Sequence, residues 1–151
     1  MSVGIGYDSH RFAEGRRLVL GGVEIEHERG LAGHSDADVL THAVIDALLG
    51  AAGMGDIGTL FPDDDERWQD ADSIDLLRTV VGTVSGRIVN VDATVVCEEP
   101  RLAPLRAEME RILAEATSAR VSVKATTNEG MGWIGRGEGI ACIAVASVDA
   151  G

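Results

Sequence analysis

The sequence predicts an α/β sandwich of the α+β kind. It should hold a mixed four-stranded sheet with helices on one face, plus a small N-terminal hairpin. Three observations predict it. Short apolar runs of strand length alternate with helix-length stretches through the second half of the chain. Apolar residues recur at helical spacing in two segments, Val39, Leu40, Ala43, Val44, Ala47 and Leu48 in one and Leu105, Met109, Ile112, Leu113 and Ala116 in the other. Glycine fills 19 of 151 positions against only 3 prolines, which marks tight turns and close backbone approach rather than low complexity. The length suits one domain, residues 1–151, large enough to bury its own core.

The elements follow in order. Ser2 to Tyr7 reads as a strand entering a polar turn. Arg17 to Glu26 reads as a hairpin around Gly21-Gly22. Asp36 to Leu49 reads as a helix, with Ser35 or Asp36 as its cap. Gly50 to Asp72 is loop-like and carries the acidic cluster Asp63-Asp64-Asp65. Ser73 can cap a second helix through about Ser85, with Ile74, Leu76, Leu77 and Val80 inward. Arg87 to Val96 is a strand, and Pro104 suits the first turn of a third helix. Val121 to Thr126 is a strand, and a glycine-rich loop from Asn128 to Gly139 leads into a last strand, Ile140 to Val148. With helices on one face, the other sheet face is uncovered. The apolar residues of the last strand then call for a second copy of the chain, and a homo-oligomer packing sheet on sheet is expected; the bland alternative is a central, covered strand.

Composition excludes several classes. Hydrophobic residues are 45% of the chain, too many for disorder. Lys plus Arg number 13 and Asp plus Glu 25, a formal net charge of -12. Such a chain repels phosphate backbones and anionic lipid heads, so no nucleic-acid or membrane partner is expected. No apolar run approaches the ~18 residues of a membrane helix, and no signal peptide is visible. Cys97 and Cys142 sit in apolar strand-like runs and read as core thiols of a reducing compartment, so a cytoplasmic location is expected.

Candidate chemistry starts from the histidines, of which there are 4. Asp8 and His10 are two apart, so one strand face can aim both at one ion. His42 lies on the first helix, with Asp38 and Asp46 about one turn to either side. One carboxylate and two imidazoles suit Zn2+ and leave a fourth position open, as a catalytic site requires. The bland alternative is a carboxylate in a turn and two unrelated histidines. His34 and Ser35, ahead of the helix, can donate to an anionic ligand as well as cap. The Lys124–Gly139 segment combines threonines, Glu129, Arg136 and glycines. It can cradle phosphate oxygens, with Glu129 on a hard cation, though it is not a Walker A loop. Asp56 can accept from a ribose hydroxyl pair, in what otherwise reads as a solvated turn.

Together the segments GYDSHRF, LGG, GLAGHSDADVLTHAVIDALLGAAGMGDIGTLFPD, DADS, NVDATVVCEEPRLAP and VKATTNEGMGWIGRGEGIACIAVA resemble the 2-C-methyl-D-erythritol 2,4-cyclodiphosphate synthase family over essentially the whole chain. The resemblance implies cyclisation of 4-diphosphocytidyl-2-C-methyl-D-erythritol 2-phosphate with release of CMP, a phosphorus–oxygen lyase step of the non-mevalonate isoprenoid pathway. It implies Asp8, His10 and His42 as zinc ligands. Glu129 would hold a second ion, Mg2+ or Mn2+, between the phosphates. Thr126 and Thr127 match residues contacting the diphosphate. Asp56 and Gly58 match the turn that binds ribose or erythritol. Pro100, Arg101, Leu102 and Ala103, with Ala125, match the cytidine pocket. His34, Ser35 and the loop from Phe61 through Asp63 to Asp65 match a mobile flap. The family is a homotrimer with sheets around a threefold axis and sites shared between subunits. Arg136 and Glu138 match residues near that axis, where some members hold an isoprenoid diphosphate, and Trp133 stands where many relatives have Phe.

Two other readings remain open on the residues alone. A zinc-dependent hydrolase would share the metal triad but release inorganic phosphate. A non-catalytic nucleotide-binding module would bind CDP without needing Asp8 or His10. The -12 charge sharpens the enzyme reading. The resemblance would bring Asp8, Asp56, Glu129 and the aspartate loop near the phosphates, which implies dependence on bound cations.

Overall fold

The computed structural model describes residues 1–151. The strands are β1 (Ser2–Ala13), β2 (Leu18–Leu20), β3 (Val23–Ile25), β4 (Gly30–Leu31), β5 (Arg87–Val96), β6 (Arg120–Thr126) and β7 (Gly139–Asp149). The helices are α1 (Val39–Ala52), α2 (Ile57–Leu60), α3 (Ser73–Thr83), α4 (Arg106–Thr117) and α5 (Gly132–Gly135). Four long strands run in the order β1-β7-β5-β6, and the two-residue β4 extends the β1 edge. β2 and β3 form the separate hairpin, turning at Gly21-Gly22. Only β5 and β6 are parallel, and α4 supplies the crossover that parallel neighbours need.

Sequence periodicity decides which face each residue takes. Gly4 and Gly6 face α1 across β1. A Cβ on Gly4 would lie 2.0 Å from the Ala47 carbonyl oxygen, and one on Gly6 2.0 Å from that of Ala43. The helix therefore rests on bare backbone, and Leu40, Ala43, Val44, Ala47 and Leu48 bury fully beneath it. Val91, Ala93, Val95, Cys142, Ala144 and Ala146 complete the core on that face. The opposite face stays bare. Val3, Ile5 and Tyr7 of β1 are 66%, 71% and 55% exposed, and Ile143 and Val145 of β7 are 44% and 39% exposed. Tyr7 pairs with Ile143 and Ile5 with Val145, so these side chains form one apolar patch.

Several boundaries differ from expectation for local reasons. β1 runs on to Ala13 because β7 pairs with it as far as Arg11, which places Asp8 and His10 inside a strand rather than at its end. The first helix starts at Val39 because Asp38, not Ser35 or Asp36, caps it by accepting from the Thr41 N–H. Asp72 likewise caps α3, so Ser73 is that helix's first residue. Pro104 lies in a 3-10 turn, Ala103–Leu105, leading into α4. The loop from 50 to 72 holds α2 and a 3-10 turn, Glu66–Trp68; the glycine-rich loop holds the single turn α5.

Candidate metal centre and nucleotide pocket

β1 aims Asp8 and His10 toward the N-terminal half of α1, where His42 sits one turn in. The Asp8 Oδ2 lies 2.8 Å from His10 Nε2 and 3.3 Å from His42 Nδ1. All three ligand atoms lie within 4.8 Å of one another. The His10 Nδ1 is 2.8 Å from the Ala32 carbonyl oxygen, which can only accept. That nitrogen therefore carries the proton, and Nε2 presents a lone pair to Asp8. Asp8 Oδ2 and His10 Nε2 are buried and have no hydrogen-bond donor between them. Two facing acceptors so close need a cation, and the carboxylate–imidazole–imidazole set fits a zinc-type ion with an open position.

The electrostatics match. Burial alone would raise the Asp8 carboxyl, but the two imidazoles of His10 and His42 beside it outweigh that and hold its pKa at about 2. Burial would lower the His42 imidazole, yet the Asp8 hydrogen bond and charge, with help from Asp38 and Asp36, raise it above its ordinary value. The neighbouring carboxylates on α1 are structural, not ligands. Asp38 is fully buried and accepts from the Gly21, Gly22 and Thr41 N–H groups and the Thr41 hydroxyl, at 2.7–3.0 Å. It fastens the hairpin turn onto the start of α1; its burial, with the Asp36 charge, raises its pKa. Asp46 accepts from the Ile57 N–H at 2.7 Å and holds the start of α2.

The triad lines a cavity of about 370 Å³. Of the residues singled out from the sequence, His34, Ser35, Gly58, Phe61 and Asp63 line it alongside the triad. Ile57, Trp68 and Leu76 line it too, and the sequence did not mark them as site residues. Leu76 lies on a helical stripe that reads as plain core, while Trp68 is a lone aromatic in a loop. Trp68 meets Phe61 edge-on, ring centroids 4.8 Å apart, walling the cavity. Asp56 and Asp65 do not line this cavity. Asp56 caps α2 through Thr59, and Asp65 is gripped by Arg67 at 2.6 Å.

A second, smaller pocket of about 160 Å³ lies at the β5–β6 end. Pro100, Arg101, Leu102, Ala103, Ala125, Thr126 and Thr127 line it, with Cys97 and Glu98. Glu98 was not foreseen. Its carboxylate accepts from the Asn128 N–H at 2.9 Å and the Gly130 N–H at 2.6 Å, pinning the loop that carries Glu129. Glu129 is exposed and lines neither pocket, and within one chain it is not grouped with the triad. Trp133 lines a separate depression of about 560 Å³ with Arg29 and Glu138, while Arg136 pairs with Glu138 at 2.7 Å.

The two pockets occupy different ends of one register row. Asp8 pairs with Cys142, Cys142 with Val95, and Val95 with Ala125. Three strand spacings, about 14 Å in all, separate the ends.

The chain is similar to known proteins in sequence and in fold. The YgbB family model matches residues 1–149. A 2-C-methyl-D-erythritol 2,4-cyclodiphosphate synthase of Syntrophomonas wolfei is 56% identical over 156 aligned positions, covering 99% of each chain. The bifunctional IspDF of Campylobacter jejuni superposes with a TM-score of 0.92 at 41% identity, over 96% of this chain and 41% of that one. A 2C-methyl-D-erythritol-2,4-cyclodiphosphate synthase in its CDP-bound form superposes with a TM-score of 0.87 at 35% identity, over 97% and 99% of the two chains. The chain belongs to the YgbB family, that of the 2-C-methyl-D-erythritol 2,4-cyclodiphosphate synthases.

Proposed function

We propose that the protein cyclises 4-diphosphocytidyl-2-C-methyl-D-erythritol 2-phosphate to 2-C-methyl-D-erythritol 2,4-cyclodiphosphate, releasing CMP, as one catalytic domain spanning residues 1–151. It is thus a phosphorus–oxygen lyase of the non-mevalonate isoprenoid pathway, working in the cytoplasm. The observation that carries the reading is the convergence of Asp8, His10 and His42 on one side of a cavity, with the buried Asp8 Oδ2 and His10 Nε2 atoms left without a hydrogen-bond partner. The names of near full-length relatives support the substrate, and the CDP-bound neighbour supports a cytidine pocket.

In the reaction an oxygen of the 2-phosphate attacks the β-phosphorus, a new P–O bond forms, and the bond to CMP breaks. No enzyme nucleophile is needed, because both partners belong to one substrate. Asp8, His10 and His42 would hold Zn2+, and Glu129 would hold Mg2+ or Mn2+. When bound, these ions neutralise phosphate charge and act as Lewis acids. His34 and Ser35 donate to the phosphate at the cavity mouth. Phe61 and Trp68 exclude water, while Gly58, Asp63 and the carboxylates Asp56 and Asp65 shape the flap and sugar turn. Pro100 to Ala103 and Ala125 receive the cytosine, and Thr126 and Thr127 donate to the diphosphate. Arg136 and Glu138 would lie near the threefold axis, with Trp133 beside the central cavity there.

The assembly proposed is a homotrimer with the triad of one subunit facing the cytidine pocket of the next. The apolar open face and the separation of the pockets support it.

The test is His42→Ala. It should lose bound Zn2+, measured by elemental analysis, and lower CMP release at least about 100-fold, since Lewis-acid stabilisation is worth several kcal/mol. The circular dichroism spectrum should persist. Phosphorus NMR of the wild-type product should show a cyclic diphosphate; inorganic phosphate instead would favour a hydrolase.

A further inference from the structure

His42 has a second nitrogen, and its surroundings are asymmetric. Nε2 lies 2.8 Å from the Ser73 hydroxyl oxygen and 3.0 Å from that of Ser35. The Ser73 hydroxyl is in close contact with Asp36 Oδ1, and the Ser73 N–H donates to Asp36 Oδ2 at 3.0 Å. A carboxylate has no proton to give, so the single hydroxyl proton of Ser73 goes to Asp36. The Ser73 oxygen then offers His42 lone pairs only. Nε2 must carry the imidazole proton, and Nδ1, facing Asp8, is left bare.

We propose that Ser73 and Asp36 are positioning residues for the metal ligand His42. They fix its tautomer and ring orientation so that Nδ1 is available to Zn2+. His10 and His42 thus coordinate through opposite nitrogens, each because an acceptor occupies the other one: the Ala32 carbonyl for His10, the Ser73–Asp36 pair for His42. Neither Ser73 nor Asp36 lines the cavity, so they act on the ligand and not on the substrate. The relay also joins two segments far apart in sequence. Asp36 precedes α1, His42 lies within it, and Ser73 opens α3. The peptide links Asp36 N–H to Ala71 O, 3.1 Å, and Asp70 N–H to His34 O, 2.8 Å, hold the α3 entrance against the same segment.

The inference rests on the triad being a metal site, and the experiment separates the two. Zn2+ affinity is measured by competition with a chromophoric chelator for the wild type, Ser73→Ala, Ser73→Thr and Asp36→Asn. Loss of such a supporting partner typically costs about 10- to 100-fold in metal affinity. Ser73→Ala should fall in that range, Asp36→Asn should weaken binding in the same direction, and Ser73→Thr, which keeps the hydroxyl, should return to within about threefold of wild type. Long-range nitrogen–proton NMR of the Zn2+-loaded wild type should show His42 protonated at Nε2 and metal-bound at Nδ1, a readout independent of whether any variant folds. His42 bound through Nε2, or Ser73→Ala with wild-type affinity, overturns the proposal. A wild-type protein that binds no Zn2+ overturns the metal reading itself.

Discussion

The carboxylate and imidazole lining the cavity pull each other's protonation in opposite directions, and this sets how the site should respond to pH. Asp8 is held at about 2, well below its ordinary value of 3.8, so it stays ionised through any mildly acidic condition. Its contribution to native stability is present above the ordinary carboxylate value and is lost only as pH falls through about 2. His42 is raised above 6.5, so its pairing with Asp8 stabilises the metal-free protein fully below that value and loses that effect as pH rises through the raised pKa. Zn2+ must displace this proton. Zn2+ affinity is expected to fall as pH falls through the His42 range, and calorimetry in buffers of different ionisation enthalpy should register proton release on binding. At this scale the sequence was partly legible. Asp8 and His10 declare themselves because a strand repeats every two residues. The pairing of His42 with Ser73 does not, because 31 positions separate them and Ser73 reads as an ordinary helix cap. The structural role of Asp38 is hidden for a similar reason: the amides it satisfies lie in a hairpin turn 16 and 17 positions earlier.

Among the elements, the contact between β1 and α1 has the narrowest tolerance. Gly6→Ala would drive a methyl into the Ala43 carbonyl oxygen, 2.0 Å away, and neither backbone can retreat without breaking the ladder to β7. We expect about 3 kcal/mol of destabilisation or more, at the top of the range for overpacking. Gly53→Ala at the end of α1 is the contrast. Its φ of 68° is left-handed but nothing lies within 4 Å, so only the conformational cost of about 1 kcal/mol applies. Urea unfolding of both variants checks the difference. The long helices and strands were legible from apolar spacing. The short turns α2 and α5 were not, because four residues carry no readable period and each is held by partners outside itself, as Asp46 holds α2.

For the whole molecule, the bare apolar face and the divided site make the same demand. Ile143→Asp places a charge in the exposed patch beside Tyr7 without touching the core. Light scattering should show the proposed trimer reduced to monomer, and CMP release should vanish while Zn2+ binding survives, since the three triad residues converge within one chain. Retained turnover in the monomer would sink the shared site. The uncovered face was legible as a demand for a partner, but the split of pockets across four strands was not. It depends on the register of β1, β7, β5 and β6, which alternation in sequence leaves open. That row, from Asp8 to Ala125, has a genetic consequence. A His42→Ala chain keeps the proposed cytidine pocket intact, and a chain with that pocket filled, such as Ala103→Trp, keeps the metal triad intact. Neither should support growth alone in a cell that depends on it. Co-expressed, they should form mixed trimers in which a sound triad meets a sound pocket, and two null alleles should complement each other.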